Sequence, residues 1–281
     1  MTKLKLKILW SLPLAVLIGL ASAQAQQPTA VYAKVLPVIT YHAIRTDHDM
    51  PIGDTVIDYD RFAEEMKYLH DQGYMTLTMD ETVQFLQGKK FPEKIVAIHF
   101  DDGLKSSLQA LALLQSYHFK ATFWAITTVA APNPAAPGAD NLYMNWEALN
   151  TVDKTPGMIV YSHTVTHPWE NGKTLVDWVE GRTPGKTKQD AFFELTESKK
   201  LLEQHLGHLI PYLAWPAGVY NQELTNMARE AGYTAAVTTV DTLNKPGGDP
   251  FQIHRTMING TCDEKVFEKI LRDGIYHDCS R

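Results

Sequence analysis

Apolar, β-branched runs alternate with stretches of helical period through most of the chain. The alternation predicts strands near residues 35–41, 75–78, 95–100, 121–126, 158–162, 212–215, 235–239 and 253–258. Helices with readable ends fall between them. Residues 59–72 place Phe62, Met66 and Leu69 on one face, with Asp58 as a cap and Gly73 as a stop. A second helix follows Asp102-Gly103 and carries Leu108, Leu111 and Leu114; a third spans 190–205 and ends at Gly207. A fourth begins after Asn221 and stops at Gly232, and the last starts near Asp263, turns Val266, Phe267 and Ile270 inward and stops at Gly274. This rhythm predicts an α/β fold with a parallel sheet inside and helices outside, closed into a barrel. Two segments interrupt it: 130–141, rich in Pro and Ala, and 168–188, with Trp169 and Trp178 expected at the surface. Both are long for simple connections and are expected to be loops over one barrel mouth.

The N-terminal residues follow a different pattern. Lys3, Lys5 and Lys7 precede an apolar run over 8–20, broken by Pro13 and followed by small residues at 21–25. A basic head, a short apolar middle and a small-residue exit predict a cleavable secretory signal over residues 1–25, cut after Ala23 or Ala25. The run is shorter than the roughly 20 residues of a spanning helix, so no stable membrane insertion is expected after cleavage. Residues 26–281 are then expected to form one large domain, periplasmic or secreted. The net charge of -6, with basic residues scattered, gives no electrostatic footprint for nucleic acid. Cys262 and Cys279 lie near the C-terminus, where an oxidising compartment permits a bridge; spacing alone leaves open a bridge or two free thiols.

Three predicted strand ends carry candidate chemistry, and the C-terminal ends of parallel barrel strands are where catalytic side chains gather. The first reads His99-Phe100-Asp101-Asp102-Gly103. Adjacent carboxylates repel unless a cation lies nearby, and consecutive side chains point different ways, so one can hold a metal while the other takes a proton. The second, Ser162 to Pro168, holds His163 and His167 four positions apart, and Pro168 favours a bend over a helix. Two imidazoles and one carboxylate leave coordination positions open, the arrangement of a catalytic metal. The third, Tyr212 to Gly218, puts Pro216 and Gly218 after the strand, where a turned backbone can aim an amide N–H at a developing oxyanion.

In this order the three segments resemble the first three motifs of the NodB-like polysaccharide deacetylases of carbohydrate esterase family 4. Phe100 to Gly103 match T-F-D-D-G, with His99 in place of Thr; His163, Thr164, His167 and Pro168 match H-[ST]-x-x-H-P in full. The resemblance implies a distorted (β/α) barrel of seven or eight parallel strands, Asp101 as general base, and Asp102, His163 and His167 as ligands of a divalent metal. Zinc is expected first, with cobalt, nickel or iron fitting the same donors. The implied reaction removes N-acetyl groups from N-acetylglucosamine units of a polysaccharide. The rivals are an O-acetyl esterase on xylan or another glycan, and a silent glycan-binding relative. Trp215-Pro216-Ala217-Gly218, with Tyr41-His42 on the first strand, is similar to the branch that acts on poly-β-1,6-N-acetylglucosamine, which implies Tyr41, His42, Trp215 and Pro216 as substrate contacts and the Ala217 N–H as oxyanion donor. Leu213 and Ala214 stand where the third motif usually has an Arg that orients the base, so Arg255 is the candidate for that role. His254 is a candidate general acid and His42 a second; Asp241 is a candidate for the fourth-motif Asp. Adjacent strand residues face opposite sides, so His254 and Arg255 are not expected to enter the barrel together. Trp169 and Trp178 either stack on sugar rings or pin their loop to the body.

Overall fold

The computed structural model describes residues 31–46, 50–130, 142–170 and 173–279. The expected secretory signal and most of the 130–141 loop lie outside the described residues. The elements run β1 (Val38–Tyr41), β2 (Ala43–Arg45), β3 (Val56–Asp58), α1 (Tyr59–Asp71), β4 (Met75–Thr76), α2 (Met79–Leu86), β5 (Ile95–Phe100), α3 (Ala110–Ser116), β6 (Ala121–Ala125) and α4 (Thr127–Ala130). They continue with α5 (Trp146–Lys154), β7 (Met158–Ser162), α6 (Leu175–Val179), α7 (Lys188–Leu206), β8 (Tyr212–Ala214), α8 (Gln222–Glu230), β9 (Ala235–Val237), β10 (Thr256–Met257) and α9 (Glu264–Asp273).

The main sheet is parallel throughout, in the order β10-β1-β5-β6-β7-β8-β9, with β4 beside the first half of β5. Hydrogen bonds from Ile253 N to Ala236 O at 3.0 Å and from Thr238 N to Ile253 O at 2.8 Å join the chain before β10 to β9, so the seven-strand path closes on itself. The fold is the closed parallel barrel that the pattern predicts, in the distorted (β/α) form that the resemblance implies. Its strands are apolar runs because both faces are covered; all six residues of β5 are buried.

The two faces divide cleanly. Phe100 and Tyr41 turn outward and stack on each other at 5.6 Å, with Phe62 of α1 edge-on to Tyr41 at 5.2 Å. Their neighbours Thr40, His99 and Asp101 turn inward; His99 meets Trp124 edge-on at 5.4 Å, and burial holds its imidazole neutral. Several helices begin where side chains cap them, but Asp58, expected as the cap of α1, makes no side-chain cap hydrogen bond. Thr187 with Asp190, Thr78 with Glu81 and Thr174 with Asp177 are capping boxes for α7, α2 and α6. The sequence pattern misses α2, α4, α5 and the small β2–β3 pair, and it misses α6, which lies within the segment 168–188 expected to be a loop. Trp178, expected at the surface, is instead 5% exposed because α6 carries it inward. Cys262 and Cys279 form a disulfide that ties the tail to the segment before α9.

Behind the sheet, the Tyr41 phenol donates to Glu65 Oε2 at 2.6 Å, and Arg61 Nε lies 3.4 Å from Oε1. Burial raises the Glu65 carboxyl from 4.5 to about 7, with Tyr41 and Arg61 only moderating the rise. The folded chain keeps a proton that the unfolded chain sheds near 4.5, so this stabilisation is complete below that pH and lost as pH rises through about 7. A difference of that size corresponds to about 3 kcal/mol. Urea unfolding at pH 5 and pH 8 is expected to show wild type losing about 3 kcal/mol relative to Glu65→Gln across that interval. Parallel curves for the two proteins would contradict the assignment.

Candidate active site

The site gathers at the C-terminal ends of β1, β5, β7, β8 and β9, around a cavity of about 660 Å³. That is the size of cavities that hold drug-sized ligands. Asp101 and Asp102 follow β5, and the chain enters the left-handed region at Asp102 (φ 67°) and Gly103 (φ 67°). A side-chain-bearing residue held there costs on the order of 1–3 kcal/mol, which the surrounding structure must offset. The turn gives the two carboxylates different surroundings.

Asp101 is 2% exposed and meets Arg255 through a bidentate fork, Nη1 to Oδ1 at 2.6 Å and Nη2 to Oδ2 at 2.8 Å. Arg255 is fully buried and braced by Nε to Thr238 O at 2.8 Å and Nη1 to the Thr40 hydroxyl at 3.3 Å. Burial alone would raise the Asp101 carboxyl; Arg255, followed by His163 and His42, more than reverses that and holds it below the usual carboxylate range. Asp101 is therefore ionised and oriented. Arg255, just before the last strand β10, thus puts a guanidinium on Asp101, although the third-motif position lacks an Arg.

Asp102 faces the imidazoles. His163 Nε2 lies 3.6 Å and His167 Nε2 4.0 Å from Asp102 Oδ1, and one donor atom from each of the three lies within 4.8 Å of the others. Three observations fit a divalent cation. Asp102 Oδ1 is buried with no hydrogen-bond partner. His163 Nδ1 donates to Ala214 O at 3.0 Å, which turns the Nε2 lone pair toward Asp102. Burial pushes both imidazoles down to about 4, helped at His163 by its neighbour His167, so both are neutral and able to ligate at pH 7.

The loop that carries the histidines is held from below. Glu194 of α7 is 3% exposed; its Oε2 accepts from Val165 N and Thr166 N at 2.8 Å each, and its Oε1 from the Thr166 hydroxyl at 2.6 Å. This pins a loop with left-handed residues at Thr164 (φ 66°) and His167 (φ 52°). Ala217 lines the cavity, also left-handed at φ 51°. The next residue must be glycine, because a Cβ at Gly218 would lie 2.1 Å from Thr239 Oγ1 and 2.4 Å from Thr239 N.

Of the other expected contacts, His42 and Trp215 line the cavity, and His42 Nε2 lies 3.9 Å from Asp101 Oδ2. Asp241 and the 62% exposed Trp169 line it as well. Three expectations need correction. Tyr41 faces the helices and is bound to Glu65, because strand alternation turns Thr40 inward and Tyr41 outward. Pro216 is buried beneath the turn and does not line the cavity. His254 faces away from the barrel into a separate cleft, its backbone N–H donating to Asn244 Oδ1 at 2.9 Å, because Arg255 takes the inward position. Thr55, Tyr143, Met257 and Tyr276 also line the site, and no motif marks them in the sequence.

A family profile described as polysaccharide deacetylase matches residues 88–236, more than half of the chain and spanning Asp101 to Ala217. The chain belongs to the polysaccharide deacetylase family. Its members are hydrolases that remove acetyl groups from polysaccharides. A Bacillus subtilis protein assigned to the polysaccharide deacetylases, YxkH, is 28% identical over 80% of this chain and 71% of its own length. Poly-β-1,6-N-acetyl-D-glucosamine N-deacetylase of Staphylococcus aureus is 22% identical over 95% of this chain and 94% of its own. The Streptococcus pyogenes deacetylase PplD, solved in complex with acetate, shares the fold with a TM-score of 0.68 and 23% identity over 88% of this chain and all of that one.

The deacetylase needs the Glu194 carboxylate for its histidine loop, because a glutamine amide can accept at only one of the two oxygens now in use. Glu194→Gln is expected to weaken zinc affinity about tenfold or more in competition with a chelating dye. Unchanged affinity would show that the loop holds its shape without that carboxylate.

Proposed function

We propose that this deacetylase is a secreted, metal-dependent enzyme that removes N-acetyl groups from N-acetylglucosamine units of a polysaccharide. The favoured substrate is poly-β-1,6-N-acetylglucosamine, with chitin-type chains and peptidoglycan as the other candidates. The observation that carries this reading is the separation of roles between neighbouring carboxylates: Asp101 forked onto Arg255, Asp102 with its Oδ1 free of hydrogen bonds beside two neutral imidazoles. The near full-length similarity to the staphylococcal enzyme supports the choice of polymer. The basic-apolar leader supports export, as does the Cys262–Cys279 bridge, which persists only where conditions are oxidising. Among the described residues no helix is long and apolar enough to cross a membrane.

Asp102, His163 and His167 would hold the cation, zinc first. Once bound, it polarises the acetamide carbonyl and makes water acidic enough to react near neutral pH. Asp101 accepts the proton of the attacking water, and Arg255 keeps its carboxylate ionised and aimed while this happens. The Ala217 N–H donates to the oxygen on which charge develops, in a turn whose shape Gly218 and Thr239 fix. His42, the cavity's third imidazole, protonates the departing nitrogen. Water adds across the C–N bond, giving acetate and a free amine. Ionised Asp101 and neutral His163 and His167 are all in place at pH 7.

Acetate release from β-1,6- and β-1,4-linked N-acetylglucosamine oligomers tests the reading. Metal-stripped protein should be silent, zinc or cobalt should restore it, β-1,6 linkages should react faster, and Asp101→Asn should lower the rate by about 10²–10⁴-fold. Release without metal, or an Asp101→Asn variant as fast as wild type, would overturn it; release only from acetylated xylan would make the enzyme an ester hydrolase.

A further inference from the structure

We propose that the C-terminal strap, residues 274–279, forms a wall of the substrate site, and that Tyr276 on it selects polymer by packing its ring against a pyranose unit. The proposal deepens the deacetylase reading and rests on it.

Tyr276 lies beyond the last helix and outside the region that the family profile matches, yet it lines the same cavity as Asp101, Asp102 and the two ligating histidines. The strap is held at several points. Its backbone N–H donates to Asp241 Oδ2 at 3.0 Å, and its phenol oxygen accepts from Asn259 Nδ2 at 3.0 Å. Asn259 is 2% exposed, and its own carbonyl is taken by Thr261 N at 2.9 Å and the Thr261 hydroxyl at 2.7 Å, which fixes the amide nitrogen toward the phenol. On one side of Tyr276 the Thr256 hydroxyl donates to Gly274 O at 2.5 Å; on the other the Cys262–Cys279 disulfide ties the chain down.

A half-buried ring fixed at its backbone and its phenol end loses little freedom when a ligand arrives. Facing a cavity with carboxylates and hydroxyls around it, such a ring suits a ligand with an apolar C–H face and a polar rim, which is the character of a pyranose. Trp169, on the loop that carries His167, lines the same cavity and supplies a second aromatic surface. Neither ring has a proton-transfer role in the chemistry. Their effect belongs in substrate affinity rather than in the rate of bond breaking.

Steady-state kinetics on β-1,6-linked N-acetylglucosamine pentamer with the zinc-loaded enzyme provides the test. Tyr276→Ala is expected to raise KM about three- to tenfold, the size of one aromatic contact, with a much smaller change in kcat. Tyr276→Phe, which keeps the ring and loses the Asn259 bond, should stay within about twofold of wild-type KM; a purely structural role for the phenol would not allow that rescue. The Cys262→Ser, Cys279→Ser double variant, with the strap untied, should raise KM in the same direction. Wild-type KM in Tyr276→Ala, or a loss confined to kcat, would overturn the proposal. Should wild type release no acetate from any oligomer, the deacetylase reading fails by itself. Titration calorimetry with the same pentamer then decides this one: weaker binding by Tyr276→Ala supports the wall, and equal binding, or none by wild type, refutes it.

Discussion

The fork between Arg255 and Asp101 is the contact around which the barrel mouth is organised. Both groups are buried, so each charge depends on the other for its stability in a poorly solvated place, and removing either partner of such a pair typically costs about 3–5 kcal/mol. The guanidinium is satisfied by Asp101 after β5, Thr40 on β1 and the Thr238 carbonyl after β9, while its own backbone lies next to β10. One side chain therefore spans the region where the first and last strands meet and the ring closes. Its fixed planar shape sets the angle of the Asp101 carboxylate, which a flexible ammonium would leave free to rotate.

With Asp101 occupied in this way, its neighbour becomes available for a different task. The left-handed turn at Asp102 and the unpaired state of its buried Oδ1 direct it to His163 and His167. Backbone strain is concentrated here. Of the five non-glycine residues with positive φ among the described residues, Asp102, Thr164, His167 and Ala217 lie in or beside the site. The stability offsetting it comes from rigid elements beneath, chiefly the Glu194 carboxylate and the capped, well-packed α7 that carries it.

Much of this is legible in the sequence because the relevant signals are local. Buried parallel strands read as continuous apolar runs, and β5 and β7 begin and end where the pattern places them. The Asp pair and the spaced histidines sit on those strand ends. Where the reading fails, the missing information is three-dimensional or a local rule was outweighed by resemblance. Alternation along β1 already implies that Tyr41 and Thr40 face opposite ways, and likewise that Arg255 in the barrel excludes His254. The capping-box spacing of Thr78 and Glu81 marks α2, and that of Thr174 and Asp177 marks the short helix that buries Trp178. No local pattern reveals Thr55, Met257 or Tyr276 at the cavity; they arrive there from segments that meet only when the barrel closes and the tail is bridged.

The central claim is that adjacent carboxylates divide the work, Asp102 holding the cation and Asp101 staying on Arg255. Anomalous diffraction from zinc-loaded crystals tests it most directly. The account predicts one ion bonded to an Asp102 oxygen and to nitrogens of His163 and His167 at about 2.0–2.2 Å, with the Asp101 fork to Arg255 intact. An ion that takes Asp101 into its coordination sphere and releases Arg255, or that binds elsewhere and leaves these three residues unliganded, would contradict it.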